Sequence, residues 1–325
     1  MNQNDIDLKK TAANAGIALL IFLLLFFAAF AVFKSFLLSL IANFIEGTLG
    51  TVISEIISGL IYATVFITPA LIFARLNKSV KQESAVRVSR RFSAKRIPFI
   101  VMATVAISLA CAYVNSWLCT LLGIAESETE TAPLSLVGFL LLVFTTAVVP
   151  AICEEFFFRK TLMGAFLPYG EGFAIISTAI LFGLMHQNIF QIFYTTMAGI
   201  LLGLVYAKTR SYLCVFLIHF VNNFISVIQT LFLGNLKEEY ITAAIISLIS
   251  VVFVLGAGSA IILMIKEKNK PDVYSTGSFS QILLPCENFV ERNTDHSPVK
   301  TLFLSPSVLI FTICAAGTCL LQIFF

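Results

Sequence analysis

Charge is what this 325-residue sequence has least of. Asp, Glu, Lys and Arg together make up 12% of it, about half the share of a soluble globular protein. A water-soluble fold built from it would expose apolar surface, so a soluble enzyme, a DNA-binding domain and a disordered chain are excluded. The net charge of +3 is too small to call for a nucleic-acid partner. Seven cysteines (Cys111, Cys119, Cys153, Cys214, Cys286, Cys314 and Cys319) never fall at C-x-x-C spacing. Most lie in apolar runs and read as small hydrophobic residues, neither a disulfide frame nor a zinc knuckle. The four aspartates, Asp5, Asp7, Asp272 and Asp295, all lie outside the apolar runs, which excludes an aspartyl dyad within the membrane. There is no H-E-x-x-H helix for a zinc protease and no G-x-S-G context for a serine nucleophile.

What fills the chain instead is apolar: 58% hydrophobic residues, 32 of them Phe, and a mean hydropathy of +0.95. Crossing a hydrocarbon core takes about 20 apolar residues of helix. Runs near that length fall at 16–41, 52–74, 98–122, 134–153, 172–187, 189–207, 212–233 and 241–265. The fifth is short, and the fourth continues as helix to residue 167. The expected fold is therefore all-α, a polytopic membrane bundle of about eight spans. A polar linker, 266–301, then leads to a further hydrophobic segment, 302–325, as a candidate ninth. Ala29-Phe30-Ala31 mimics a signal-peptidase site, but the apolar stretch runs past it, so the first span is expected to stay uncleaved.

Orientation follows from the basic residues. The 75–96 loop carries eight of them, from Arg75 to Arg96, against Glu83 alone. The 123–133 loop carries Glu126, Glu128 and Glu130 and no base. The positive-inside rule places the first loop in the cytoplasm and the second outside. Alternation then puts the N-terminus, Arg159-Lys160, Lys208/Arg210 and Lys266/Lys268/Lys270 inside, a multi-pass protein of the cell membrane.

Ionisable groups inside spans are costly and mark functional sites. Four stand out: Glu154, Glu155, His186 and His219. Pro150 cannot donate to the carbonyl of residue 146 and sets a kink one turn before the acids. Glu155 and Arg159, four apart, share a helical face and can pair as a structural anchor. Glu154 points elsewhere, unpaired and desolvated, the better placed of the two to act as a general base. The Pro168-Tyr-Gly-Glu171 segment turns the chain back, and Glu154 and His186 lie 16 residues to either side of Gly170. Equal counts in a helical hairpin mean equal depth. Phe182, one turn before His186, can pack against its ring. His219 and Asn223 are four apart on one face, about 13 Å below Arg210, and Glu154 is about 8 Å below Arg159 by helical rise. Glu154, His186, His219 and Asn223 thus converge in one layer beneath the cytoplasmic face.

Glu154-Glu155-x-x-x-Arg159, Phe182-x-x-x-His186 and His219-x-x-x-Asn223 resemble, in order and spacing, the three-motif signature of the CPBP family of intramembrane proteases. That family includes CAAX-prenyl endopeptidases and bacterial abortive-infection (Abi) and bacteriocin-immunity proteins. The resemblance covers 134–235, the expected catalytic core, with Gly199-x-x-x-Gly203-x-x-Tyr206 also family-like; the spans in 1–125 and 236–265 lie outside it. It implies that Glu154 activates water with help from His186, and that His219 and Asn223 stabilise the oxyanion. Glu155 and Arg159 would hold the local structure. The substrate implied is a peptide or protein at the membrane, lipidated or not. Glu154, His186 and His219 could instead ligate one divalent metal such as zinc, with water as the open ligand; the residues leave both readings open. A transporter relaying protons through the same groups, or a non-catalytic immunity or scaffold protein, are the competing classes. No second copy of the acidic or His-x-x-x-Asn segment supports a transporter's inverted repeat.

Overall fold

The computed structural model describes residues 3–29, 47–78, 94–124, 135–268 and 294–324. The end of the first expected span, most of the basic and acidic loops and most of the 266–301 linker lie outside the described residues. All regular structure among the described residues is helical. The helices are α1 (Gln3–Ala28), α2 (Gly47–Leu76), α3 (Ile97–Leu121), α4 (Leu136–Tyr169), α5 (Glu171–Met185), α6 (Ile189–Thr209), α7 (Tyr212–Asn235), α8 (Glu238–Lys268), α9 (Pro298–Phe303) and α10 (Pro306–Phe324). Seven are long and apolar enough to cross a membrane, and α5 and α10 are shorter apolar helices. Their outward faces present bare apolar side chains such as Leu24, Leu122 and Val254, each at least 70% exposed, which suits lipid and not water.

Local sequence sets the helix ends. Ser135, Asn188 and Ser211 cap α4, α6 and α7 by accepting from the backbone N–H of Gly138, Phe190 and Cys214. Gly170, at φ +132°, makes the turn from α4 to α5 that a side chain would resist. At that end Lys208 pairs with Glu171 at 3.2 Å, so the α4–α5 and α6–α7 turns share one end of the bundle.

The first span differs from expectation. The 16–41 apolar run predicts a helix starting well after Lys10, yet α1 begins at Gln3. The buried Asp5 carboxylate accepts from the backbone N–H of Asp295 and His296, and Asn14 donates to Asn77 at 3.1 Å. Hydropathy cannot register polar residues satisfied by distant partners.

Two apolar cores result. One joins α1, α2, α4, α5 and α10 around Phe22, Phe66, Phe157, Phe158 and Phe311; the other joins α3, α6, α7 and α8 around Ile100, Val215 and Ile218. The C-terminal segment is a wall of the first. Val308, Phe311 and Ala315 are fully buried, and Ser307 donates to the Ala13 carbonyl at 2.9 Å. Gly16 permits that approach, since a Cβ there would collide with Ser307 and the Val308 backbone.

Candidate active site

The acids sit on a short α-helical stretch, Val149–Glu155, between two π-helical turns, Val143–Val148 and Phe156–Met163. Such turns are rare and concentrate at functional sites. The first one absorbs the disturbance expected of Pro150. The Thr146 carbonyl, four residues before that proline, loses its α-helical donor; the Asn223 side-chain amide of α7 donates to it at 3.0 Å.

Glu154 and Glu155 lie side by side in sequence but face different partners. Glu155, wholly buried, meets Arg159 at 3.2 Å. The Arg159 Nε has no hydrogen-bond geometry in that contact, so it is an ion pair more than a directed bond. The guanidinium also lies 4.6 Å over the Phe182 ring, and its Nη2 donates to the Gly199 carbonyl at 3.5 Å. The other Glu155 oxygen contacts His219 Nδ1 at 2.8 Å. Glu155 thus bridges α4 to α7 as well as pairing with Arg159 along its own helix.

Glu154 accepts a hydrogen bond from the Tyr62 hydroxyl of α2 through Oε1. Its Oε2 is buried without a hydrogen-bond partner among the described residues and lies 3.9 Å from His219 Nε2. His219 therefore stands between the two acids, held at Nδ1 and open at Nε2. Tyr62 itself stacks on Phe66, ring centroids 4.7 Å apart, which fixes the direction of its hydroxyl.

Phe182 ties the remaining imidazole to this group. Its ring is 4.9 Å from His186 and 6.2 Å from His219, edge-on to both. His186 caps the end of α5, with Nδ1 2.8 Å from the Phe182 carbonyl. Gln187, at φ +48°, then turns the chain sharply into α6, an uncommon conformation for a residue with a side chain.

Of the expected residues, the structure gathers Glu154, Glu155, Arg159, Phe182 and His219 by direct contact, and adds His186 through Phe182. Asn223 sits one turn beyond His219 and supports the backbone beside the acids. The metal reading fares differently: no group of three His, Cys, Asp or Glu among the described residues is placed to hold an ion. His219 Nε2 and Glu154 Oε2 both stay open, and a carboxylate on His219 Nδ1 is what metal-bound imidazoles commonly have. It is His186, set against Phe182 and not against the acids, that keeps Glu154, His186 and His219 from forming a ligand set as arranged.

One inference from spacing needs correcting. The count of basic residues takes Arg159 with Lys160 as a cluster at the cytoplasmic surface. Arg159 is only 1% exposed, and helix continues for ten residues to Tyr169. A depth of about 8 Å for Glu154 by helical rise therefore has no surface residue to start from, and the site lies deeper in the bundle than that count implies.

Tyr62 was missed altogether. It lies in α2, outside the three motifs, and a lone Tyr inside an apolar span was its only signal. Tyr212, whose hydroxyl donates to the Ile152 carbonyl at 2.7 Å, gave as little.

No curated protein and no solved structure matches the chain. Residues 136–225, which is 90 of 325, match the family described as Type II CAAX prenyl endopeptidase Rce1-like. That segment, less than half of this multi-pass membrane protein, carries every charged group of the site, and over those residues the chain is similar to the Rce1-like family.

Proposed function

We propose that the protein is an intramembrane endopeptidase in which Glu154 activates water for attack on a peptide carbonyl. The observation that carries this is the pair formed by Glu154 Oε2 and His219 Nε2, 3.9 Å apart and facing each other. Two such atoms can both reach one water oxygen at about 2.8 Å, with an angle of about 90° between them. Tyr62, a positioning residue, holds the other Glu154 oxygen and so leaves Oε2 as the base.

The water oxygen adds to the carbonyl carbon while its proton passes to Glu154. His219, carrying protons on both nitrogens and held by Glu155, offers Nε2–H to the developing oxyanion. Asn223 has a second amide hydrogen beyond the one given to Thr146 and can join it. Glu154 then returns the proton to the amine nitrogen as the C–N bond breaks, leaving an amine and a carboxylic acid, which ionises on release. His186, which adjoins the group through Phe182, helps to position the water. None of these steps needs a metal.

The substrate is a peptide or protein segment reaching the bundle from the bilayer; prenylated C-terminal peptides are one candidate class, by family analogy alone. The basic-loop asymmetry supports a cell-membrane protein with its N-terminus in the cytoplasm.

Detergent-purified full-length protein, assayed on a quenched-fluorescence peptide library with and without chelator, tests the reading. Glu154→Gln should lose at least about a hundredfold in turnover, the low end of what a positioned acid–base group supplies. Activity should survive the chelator. Retained turnover in Glu154→Gln, with the chain folded, would end the proposal, and loss with chelator alone would replace the water-activating step by a metal.

A further inference from the structure

A cavity of about 470 Å³ opens between α3, α6 and α7, the size of a small-ligand site. It is distinct from the acid–histidine group: none of its lining residues, among the described residues, is charged or a histidine. Its α7 wall is Asn222, Ser226 and Gln229, which share one stripe of the helix, while His219 and Asn223 occupy the neighbouring stripe. Asn115 faces it from α3, and Gln191 and Tyr194 from α6.

Part of this polarity is used internally. Asn115 donates to the Phe190 carbonyl at 2.6 Å, and Asn222 donates to the Tyr194 hydroxyl at 2.5 Å. The Asn222 Oδ1 is left buried without a hydrogen-bond partner among the described residues. An acceptor in that state is costly inside a membrane bundle, and Ser116, Gln191, Ser226 and Gln229 add further amides and hydroxyls to the cavity lining.

We propose that this cavity is a subsite for an unwound, uncharged stretch of substrate peptide on one side of the scissile bond. This rests on the endopeptidase reading. A peptide pulled out of helix inside a membrane carries one orphaned donor and one orphaned acceptor per residue. Carboxamides, each with both a donor and an acceptor, complement that pattern. No cation lines the wall among the described residues, which argues against a phosphate headgroup. Gln229 lies ten residues beyond His219 on α7, about 15 Å by helical rise, enough for about four extended residues.

The test uses full-length protein in detergent with Gln191→Leu and Gln229→Leu, which keep side-chain bulk and remove the amide, and Ser116→Phe, which fills the space. The probes are capped, fluorescent decapeptides of Ala, Ser and Thr, the same peptides with two Lys, and a fluorescent phosphatidylethanolamine. KM on the neutral peptides should rise about five- to tenfold per lost hydrogen bond, with kcat within about twofold. The dissociation constant of the same peptides for the inactive Glu154→Gln chain should rise by the same factor when each substitution is added to it. Lys-bearing peptides should bind more weakly throughout. Unchanged peptide affinity in folded variants, or displacement of the peptide by the phospholipid, overturns the subsite. If the wild type cleaves no peptide, the endopeptidase reading fails, and the binding arm still decides whether the cavity takes peptide.

Discussion

Two parts of this bundle solve opposite problems with the same apolar alphabet. Around Phe182 the chain buries Glu154, Glu155, Arg159 and His219 in contact. At the α1–α10 junction it buries Ala12, Ala15, Phe22, Val308 and Phe311 and uses polar atoms sparingly, as in the Ser307 bond to Ala13. The first arrangement is held together by charge that would be ruinous if left unpaired; the second by close approach of small residues, as membrane helices commonly do. Polar loss should therefore cost very different amounts in the two places, and the same rule should separate loss of stability from loss of turnover.

The sharpest break in that comparison is Arg159→Met. It leaves Glu155 as a buried carboxylate facing only His219, and removing one partner of a buried pair costs about 3–5 kcal/mol. We expect poor expression and a large drop in thermal stability in detergent. Glu155→Gln, the complementary change, should harm folding at least as much as chemistry. Normal yield with lost turnover would instead make Glu155 part of the reacting set.

Tyr62→Phe sharpens the catalytic side. It removes one hydrogen bond to an ionised group, about 1.5–3 kcal/mol, while keeping the ring stacked on Phe66. If Tyr62 positions Glu154, kcat should fall about ten- to a hundredfold with KM little changed, and the pH–rate profile should move. An unaltered profile with equal losses of stability and activity would reduce Tyr62 to packing.

Gly199→Ile probes the seam between the two behaviours. A Cβ at Gly199 would lie 3.0 Å from the Ala179 Cα across the α5–α6 contact, and its carbonyl also receives Arg159. Overpacking of this kind costs about 1–3 kcal/mol. The variant should lose stability and, through the shifted carbonyl, some turnover. Full stability and activity would refute the assignment of Gly199 to helix packing.

How much of this was legible in the sequence follows from which forces act locally. Glu155 with Arg159, and Phe182 with His186, are pairs within one helix, and helical period alone places them. Glu154 and His219 stand out because ionisable groups are rare in apolar runs. The bonds from Tyr62 to Glu154 and from Glu155 to His219 join helices 92 and 64 residues apart in sequence. No local rule encodes which faces of two distant helices meet. The π-helical turns were hidden for a related reason: only the Pro150 break was visible, and how a helix redistributes it depends on the Asn223 amide arriving from α7. The early start of α1 was lost because hydropathy scores Asp5 and Asn14 as exposed, while tertiary partners bury them.

The smallest effect belongs to the apolar junction. Ser307→Ala deletes the side-chain bond to the Ala13 carbonyl but keeps the close contact that Gly16 allows. Interhelical hydrogen bonds of this sort in membrane proteins are worth about 0.6 kcal/mol on average, because the apolar packing around them persists. Melting in detergent should fall only slightly and peptide turnover should stay at the wild-type level. If Ser307→Ala cost as much turnover as Tyr62→Phe, the α1–α10 pair would be coupled to the site through α2. The division between a charged, reacting interior and an apolar frame would then not hold.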